Sequence, residues 1–190
     1  RSNGDVFLSQ KLINSLYEYY QSPLIDLLVN DDTFPVAKLL SNVNYINTFS
    51  YNKKHENRWK QEKEIIISVF RKYDLSINLT ASDRSVLYAI FASKNSISAV
   101  EKDNSKSWWK KALLTHYYFF DITKHILLNN LEPLNFLKIK HTNDLGKIKV
   151  SENIIDRIKN KLDIKGIKDF VIFHPSAQYN YKIYPQHLRD

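Results

Sequence analysis

Strand-length and helix-length segments alternate along most of this chain, and that alternation predicts an α/β fold: a Rossmann-like parallel sheet with helices on both faces. Two further observations support it. At 190 residues, 43% hydrophobic and 25% charged, the composition is that of an ordinary globular chain long enough for one full domain and the start of a second. Neither an internal repeat nor a low-complexity segment interrupts the alternation.

The elements follow in order. Val6 to Tyr20 carries apolar residues at Leu8, Leu12, Leu16 and Tyr19, which is helical spacing. Leu24 to Val29 reads as a strand, Thr33 to Leu40 as a short helix and Val43 to Phe49 as a second strand. Glu56 to Tyr73 is a long helix, polar in its first half and apolar in its second. Asp74 to Leu79 is a strand, Asp83 to Ala92 a helix and Ser96 to Val100 a strand. Ile122 to Leu137 is helical, interrupted or bent at Pro133. Ser151 to Leu162 is a helix capped by Ser151, and Lys168 to Phe173 a strand. Residues 1–150 therefore read as an amino-terminal domain, 151–167 as a connection and 168–190 as the start of a second domain.

Composition excludes several chemistries. The absence of cysteine removes thiol nucleophiles, disulfides and thiolate metal sites. Six histidines are scattered without metal-ligand spacing, so no metal and no cofactor are expected. Three glycines are too few for a P-loop or a GxGxxG fingerprint. No apolar run is long enough to span a bilayer and no signal-peptide pattern opens the sequence, so a cytoplasmic home is expected. The chain also lacks methionine, even at its first position, as a piece cut from a longer product would. A net charge of +8 and a pI near 9.4 favour acidic partners.

Phe170 to Leu188 is the most informative stretch. An apolar run, Phe170 to Phe173, breaks at His174-Pro175 into the polar loop Ser176-Ala177-Gln178, then reaches Lys182 and Pro185, which opens a helix. A strand, a polar turn and a proline-started helix let backbone N–H groups converge on an anion, with Lys182 adding positive charge.

Four blocks together resemble the bacterial glycosyltransferases that add heptose to the lipopolysaccharide core, glycosyltransferase family 9, of two-domain GT-B architecture. Gly4-Asp5-Val6 before an apolar helix is similar to that family's turn after its first strand. Tyr73-Asp74-Leu75 with Asn78-Leu79 and Arg84-Ser85, and His125-Ile126-Leu127 before a leucine-rich helix, match its next two blocks. His174-Pro175-Ser176 through Lys182-Ile183-Tyr184-Pro185 resembles the block that starts its second domain. The chain departs at Gln10-Lys11, where a proline is usual, at Tyr184, where tryptophan is usual, and at Ser176-Ala177, where the loop glycine is missing.

The resemblance implies an inverting, metal-independent transfer from a nucleotide sugar, with ADP-heptose the first choice of donor, to the anionic lipopolysaccharide inner core. Asp5 would be the general base on the acceptor hydroxyl; read from the residues alone, an aspartate beside glycine at a helix start is a good N-cap, the commoner role. Lys182, Ser176 and Gln178 would hold the donor diphosphate. The resemblance also places a strand ahead of Arg1. In a doubly wound sheet the first strand is central, so without it two half-sheets should face a gap.

Two basic clusters point to the acceptor side. Lys53, Lys54 and Arg58 with Trp59, and Lys110 and Lys111 with Trp108 and Trp109, follow expected strands, where ligands of open α/β sheets bind. Arg84, from the second block, joins them as an expected acceptor contact. Peripheral contact with the cytoplasmic face of the inner membrane is a further expectation. Other readings stay open: another nucleotide sugar, a fold without catalysis, or a non-catalytic basic domain for single-stranded nucleic acid. Against the last, the aromatics are spread through core elements rather than set on one sheet face, so no nucleic acid is expected.

Overall fold

The computed structural model describes residues 2–51, 53–144, 148–172 and 187, with backbone alone at 53–58 and 104. Chain contacts divide it into two compact units, Arg1–Lys149 and Val150–Asp190.

The first unit alternates helices and strands: α1 (Asn3–Phe7), α2 (Gln10–Tyr19), β1 (Asp26–Asn30), a 3-10 turn (Asp31–Thr33), α3 (Phe34–Ala37), β2 (Tyr45–Phe49), α4 (Lys53–Val69), β3 (Ser76–Asn78), α5 (Asp83–Ala92), β4 (Ser96–Val100), α6 (Asn104–Leu113), β5 (His116–Phe119) and α7 (Ile126–Leu137). The second unit contains α8 (Glu152–Ile164). The expected α/β class is observed.

Each strand pair is parallel, and the strands form two separate sheets, β1–β2 and β3–β4–β5. The expected division into two half-sheets is therefore present: among the described residues β1 pairs only with β2, and β3 only with β4. Helices span both halves. From α2, Ile13 packs with Val6, Ala37 and Leu40 against Leu27 and Val29 of β1, whereas Leu12 packs with Leu134 against Ile77 of β3 and Leu79. Phe49, Ile65 and Tyr88 enclose Leu28 in a cluster contributed by β2, α4 and α5. Neighbouring residues of β1 point to opposite clusters, as a strand covered on both faces requires.

Strand β4 shows what two neighbours do. All five of its residues are buried, while β1 and β3 are only half-buried throughout. Ile97 and Ala99 pack with Tyr118 and Leu137, and Val100 with Val86 and Leu114 on the other face. Burying a Val or Ile fully contributes about 1.5–3 kcal/mol, so β4 anchors the larger sheet.

Several element boundaries differ from the sequence expectation for local reasons. The first helix is two, because Ser9 turns its hydroxyl back to the Val6 carbonyl at 2.6 Å and restarts the chain as α2. The helix expected from Ile122 begins at Ile126, since His125 Nδ1 accepts from the Leu127 N–H at 3.2 Å and caps α7. Pro133 sits inside α7, which continues to Leu137. Helix α6 and strand β5 were not expected. The strand expected at Lys168 to Phe173 is not formed over 168–172, and Phe173 lies outside the described residues.

Candidate functional site

In a parallel sheet the loops leaving the carboxyl ends of the strands carry the chemistry. Besides the 3-10 turn after β1, four such connections follow β2, β3, β4 and β5.

After β2, Gln61 of α4 fixes the turn by donating to the Ser50 carbonyl at 3.0 Å and accepting from the Ser50 N–H at 2.8 Å. Tyr51 follows, 44% exposed and edge-on to the buried Phe49 ring. Helix α4 then begins, so Lys53, Lys54 and Arg58 occupy its first two turns rather than a loop; their side chains lie outside the described ones. Trp59, next along α4, is 83% exposed.

The loop after β3 is held by its own polar groups. Asn78 Nδ2 donates to the Thr80 carbonyl at 2.5 Å and to Ser98 Oγ at 2.7 Å, while Thr80 Oγ1 donates to Ser85 Oγ at 2.6 Å. Ser82 caps α5 by accepting from the Ser85 N–H at 3.4 Å. This places Arg84 in the first turn of α5, its guanidinium over the Phe49 ring at 3.8 Å and 5.3 Å from the Tyr51 centroid. Nη1 of Arg84 is 3.7 Å from Glu62 Oε1, and the Tyr88 hydroxyl donates to Glu62 Oε2. Arg84 thereby joins the ends of β2 and β3.

After β4, Lys110 of α6 departs from its expected place as an acceptor contact. Its side chain is fully enclosed. The ammonium meets Glu101 Oε2 at 2.7 Å, Asp83 Oδ1 at 2.7 Å and the Ala81 carbonyl at 2.6 Å, which uses its donors within the fold. Burial disfavours the charged form, but the hydrogen bonds and charges of Asp83 and Glu101 outweigh it and hold the lysine above its usual range. Lys111, on the neighbouring face, sits over Phe119 at 4.9 Å and Tyr117 at 5.7 Å. Trp109 packs beside Val86 and Val100, whereas Trp108 is 68% exposed.

After β5, Asn129 of α7 organises the loop by accepting from the Asp121 N–H and donating to the Asp121 carbonyl, each at 2.9 Å. Bonds from the Thr123 hydroxyl and N–H hold the Asp121 carboxyl below its usual range.

Asp5 lies at the start of α1, half-buried. Its Oδ2 accepts from the Ser2 N–H at 3.2 Å and its own N–H donates to Ser2 Oγ at 3.4 Å, a reciprocal capping box in which Ser2, not Asp5, is the cap. Ser176, Gln178 and Lys182 lie outside the described residues. Among the described residues no three His, Cys, Asp or Glu side chains converge.

Sequence reasoning did not single out Glu62 and Tyr88, which surround Arg84. A signal existed: Glu62 shares its helix face with Ile65 and Val69, so its carboxylate turns inward with them.

No protein-family model matches the chain. It is similar to lipopolysaccharide heptosyltransferase 3 of Escherichia coli strain K12, 27% identical over 188 residues, covering 96% of this chain and 54% of that protein. A second E. coli lipopolysaccharide heptosyltransferase 3 is 25% identical over 190 residues, with the same coverage. Among solved structures, the glycosyl transferase family 9 protein from Veillonella parvula shares the fold with a TM-score of 0.71 at 18% identity, over 97% of this chain and 53% of that one. The chain thus spans about half the length of the relatives it matches, and over that span its sequence is similar to lipopolysaccharide heptosyltransferases and its fold to that of a glycosyl transferase family 9 protein, in line with the family its motif blocks resemble.

Proposed function

We propose that the chain is the acceptor-side part of a glycosyltransferase that moves heptose from ADP-heptose to the lipopolysaccharide inner core, in the cytoplasm and peripherally at the inner membrane. The observation that carries the reading is the similarity to named heptosyltransferases across nearly the whole chain. The parallel half-sheets, with Arg84 and the basic start of α4 following their carboxyl ends, support an acceptor that is anionic.

In this reading Asp5 takes the proton of the acceptor hydroxyl as that oxygen attacks the anomeric carbon. The nucleoside diphosphate leaves with inversion, its charge met by Lys182 and by hydrogen bonds from Ser176 and Gln178. No metal or cofactor takes part. The capping box holds the Asp5 carboxyl at the start of α1, where it accepts from the Ser2 N–H, and accepting a proton is what a general base must do.

The test is transfer by the full-length protein from a panel of nucleotide sugars to heptose-deficient lipopolysaccharide, repeated with Asp5→Asn. Transfer is expected from ADP-heptose, and the variant should lose about 10²-fold or more of the rate at an unchanged melting temperature, since asparagine still accepts from Ser2 but cannot take a proton. Near wild-type turnover would return Asp5 to a purely capping role. Transfer from a different nucleotide sugar would replace the donor while keeping the reaction.

A further inference from the structure

The last turns of α4 are apolar on two sides. Ile65 and Val69 are buried, and Ile66 packs against the cluster of Phe49, Ile65 and Tyr88, so these three seat the helix by a single stripe. Ile67 and Phe70 are left over. One turn apart on the outer side, they are 66% and 56% exposed. The apolar surface continues onto α5, where the ring of half-buried Phe91 lies 6.2 Å from that of Phe70 and Leu87, one turn earlier, is exposed. Single exposed apolar residues need no explanation, but a patch running across two helices calls for a partner.

The flanking charges identify that partner. Glu64 stands three positions before Ile67 and Arg71, in the turn that closes α4, four positions after it; Lys63 stands four before and Phe70 three after. All four are exposed, and among the described residues none of the three charged ones has an ion-pair partner. An anionic surface would meet Lys63 and Arg71 but oppose Glu64. A second copy of the same helix suits both signs. Laid antiparallel about a two-fold axis at Ile67, it brings its own Arg71 to Glu64, its Phe70 ring to Lys63 and its Ile67 to Ile67, and symmetry makes the first two contacts twice.

We propose that the outer face of α4, with Leu87 and Phe91 of α5, is a two-fold interface between two copies of this chain. A stable interface takes about 800 Å² from each partner, more than one helix crossing supplies, and the α5 residues extend it. Ile67 lies about 21 Å along the helix axis from Lys53, so the loops at the carboxyl ends of the strands stay open in both copies. The inference is independent of the reaction proposed above.

Sedimentation velocity of the full-length protein at about 1–100 μM tests this. The wild type should show a dimer whose share rises with concentration. Ile67→Glu, at an exposed position and so with an unchanged melting temperature, should sediment as a monomer. Glu64→Arg and Arg71→Glu should each weaken the dimer about tenfold or more, because each sets like charges together at two places. The double variant Glu64→Arg with Arg71→Glu restores opposite charges across the axis and should recover dimerisation to within about threefold of the wild type. A monomer at every concentration, or a dimer that survives Ile67→Glu, would overturn the proposal. So would single variants that weaken the dimer with no recovery in the double variant.

Discussion

At the scale of single residues, the same residue type serves opposite ends here. Lys110 and Lys111 are adjacent in sequence, but helical phase sends the first inward between Asp83 and Glu101 and leaves the second over the aromatic rings of β5. Charge counting cannot separate them. Lys110→Met keeps most of the buried volume and removes the ammonium, so it isolates the polar contribution. Asp83 and Glu101 keep access to water, with side chains 70% and 38% exposed, which softens the loss of their partner. The cost of leaving the Ala81 carbonyl without its donor is not softened in that way, and the expected destabilisation is about 1–3 kcal/mol, read from denaturant unfolding. A change within error would show that the enclosed ammonium adds no net stability over a hydrophobic side chain.

Among elements, the two half-sheets are tied at both ends by side chains. The tie at the carboxyl ends is Arg84 on Phe49; at the amino ends the Tyr73 hydroxyl, just ahead of β3, donates to Asp26 Oδ2 of β1 at 2.9 Å. Burial first, then the hydrogen bond and charge of Asp26, push the Tyr73 pKa from 10.0 up to about 12. A raised folded value means the neutral phenol is favoured in the fold. The tie is therefore fully present below pH 10 and is lost as pH rises towards 12. Melting temperature measured across that window should fall more steeply for the wild type than for Tyr73→Phe, which has nothing to ionise there. Parallel curves would show that the tie does not stabilise the fold. Elements α6 and β5 belong to this scale too. Capping by Asp103, whose carboxylate accepts from the Ser105 N–H at 2.9 Å, starts α6 among lysines and tryptophans that read as a charged loop. Strand β5 exists because β4 offers it a parallel edge.

For the whole molecule, the division of the sheet is the leading fact. Apolar Leu27, Val29 and Ile77 belong to strands covered on both faces, yet they remain half-buried because, among the described residues, β1 and β3 each have a single neighbouring strand. A strand supplied from upstream of Arg1, as expected from the sequence, would pair with both. Lengthening the protein with that segment should slow hydrogen exchange at the β1 and β3 amides and leave β5 unchanged. Unaltered exchange at β1 and β3 would argue against a central strand. Net charge also acts at this scale. Replacing Lys53, Lys54 and Arg58 together with alanine should weaken acceptor use far more than nucleotide-sugar binding, and high salt should mimic the loss, since exposed charges are screened within about 8 Å at physiological ionic strength. Equal loss for donor and acceptor would remove the acceptor site from α4.

What the sequence determined by itself is what depends on local pattern. The pattern of helix-length and strand-length segments placed α5 at Asp83–Ala92 and β4 at Ser96–Val100, their alternation set the α/β class, and the ordered motif blocks pointed to the heptosyltransferase family. Such features are written in neighbours along the chain. Tertiary structure decided which charges are spent and which are open. Glu62 reaches Arg84 across 22 positions and Tyr88 across 26, and Lys110 meets the Ala81 carbonyl from 29 residues away. No local period encodes those distances. They exist only once parallel strands bring the β2, β3 and β4 loops to one end of the fold, where burial enclosed one lysine and packing set one arginine over an aromatic ring.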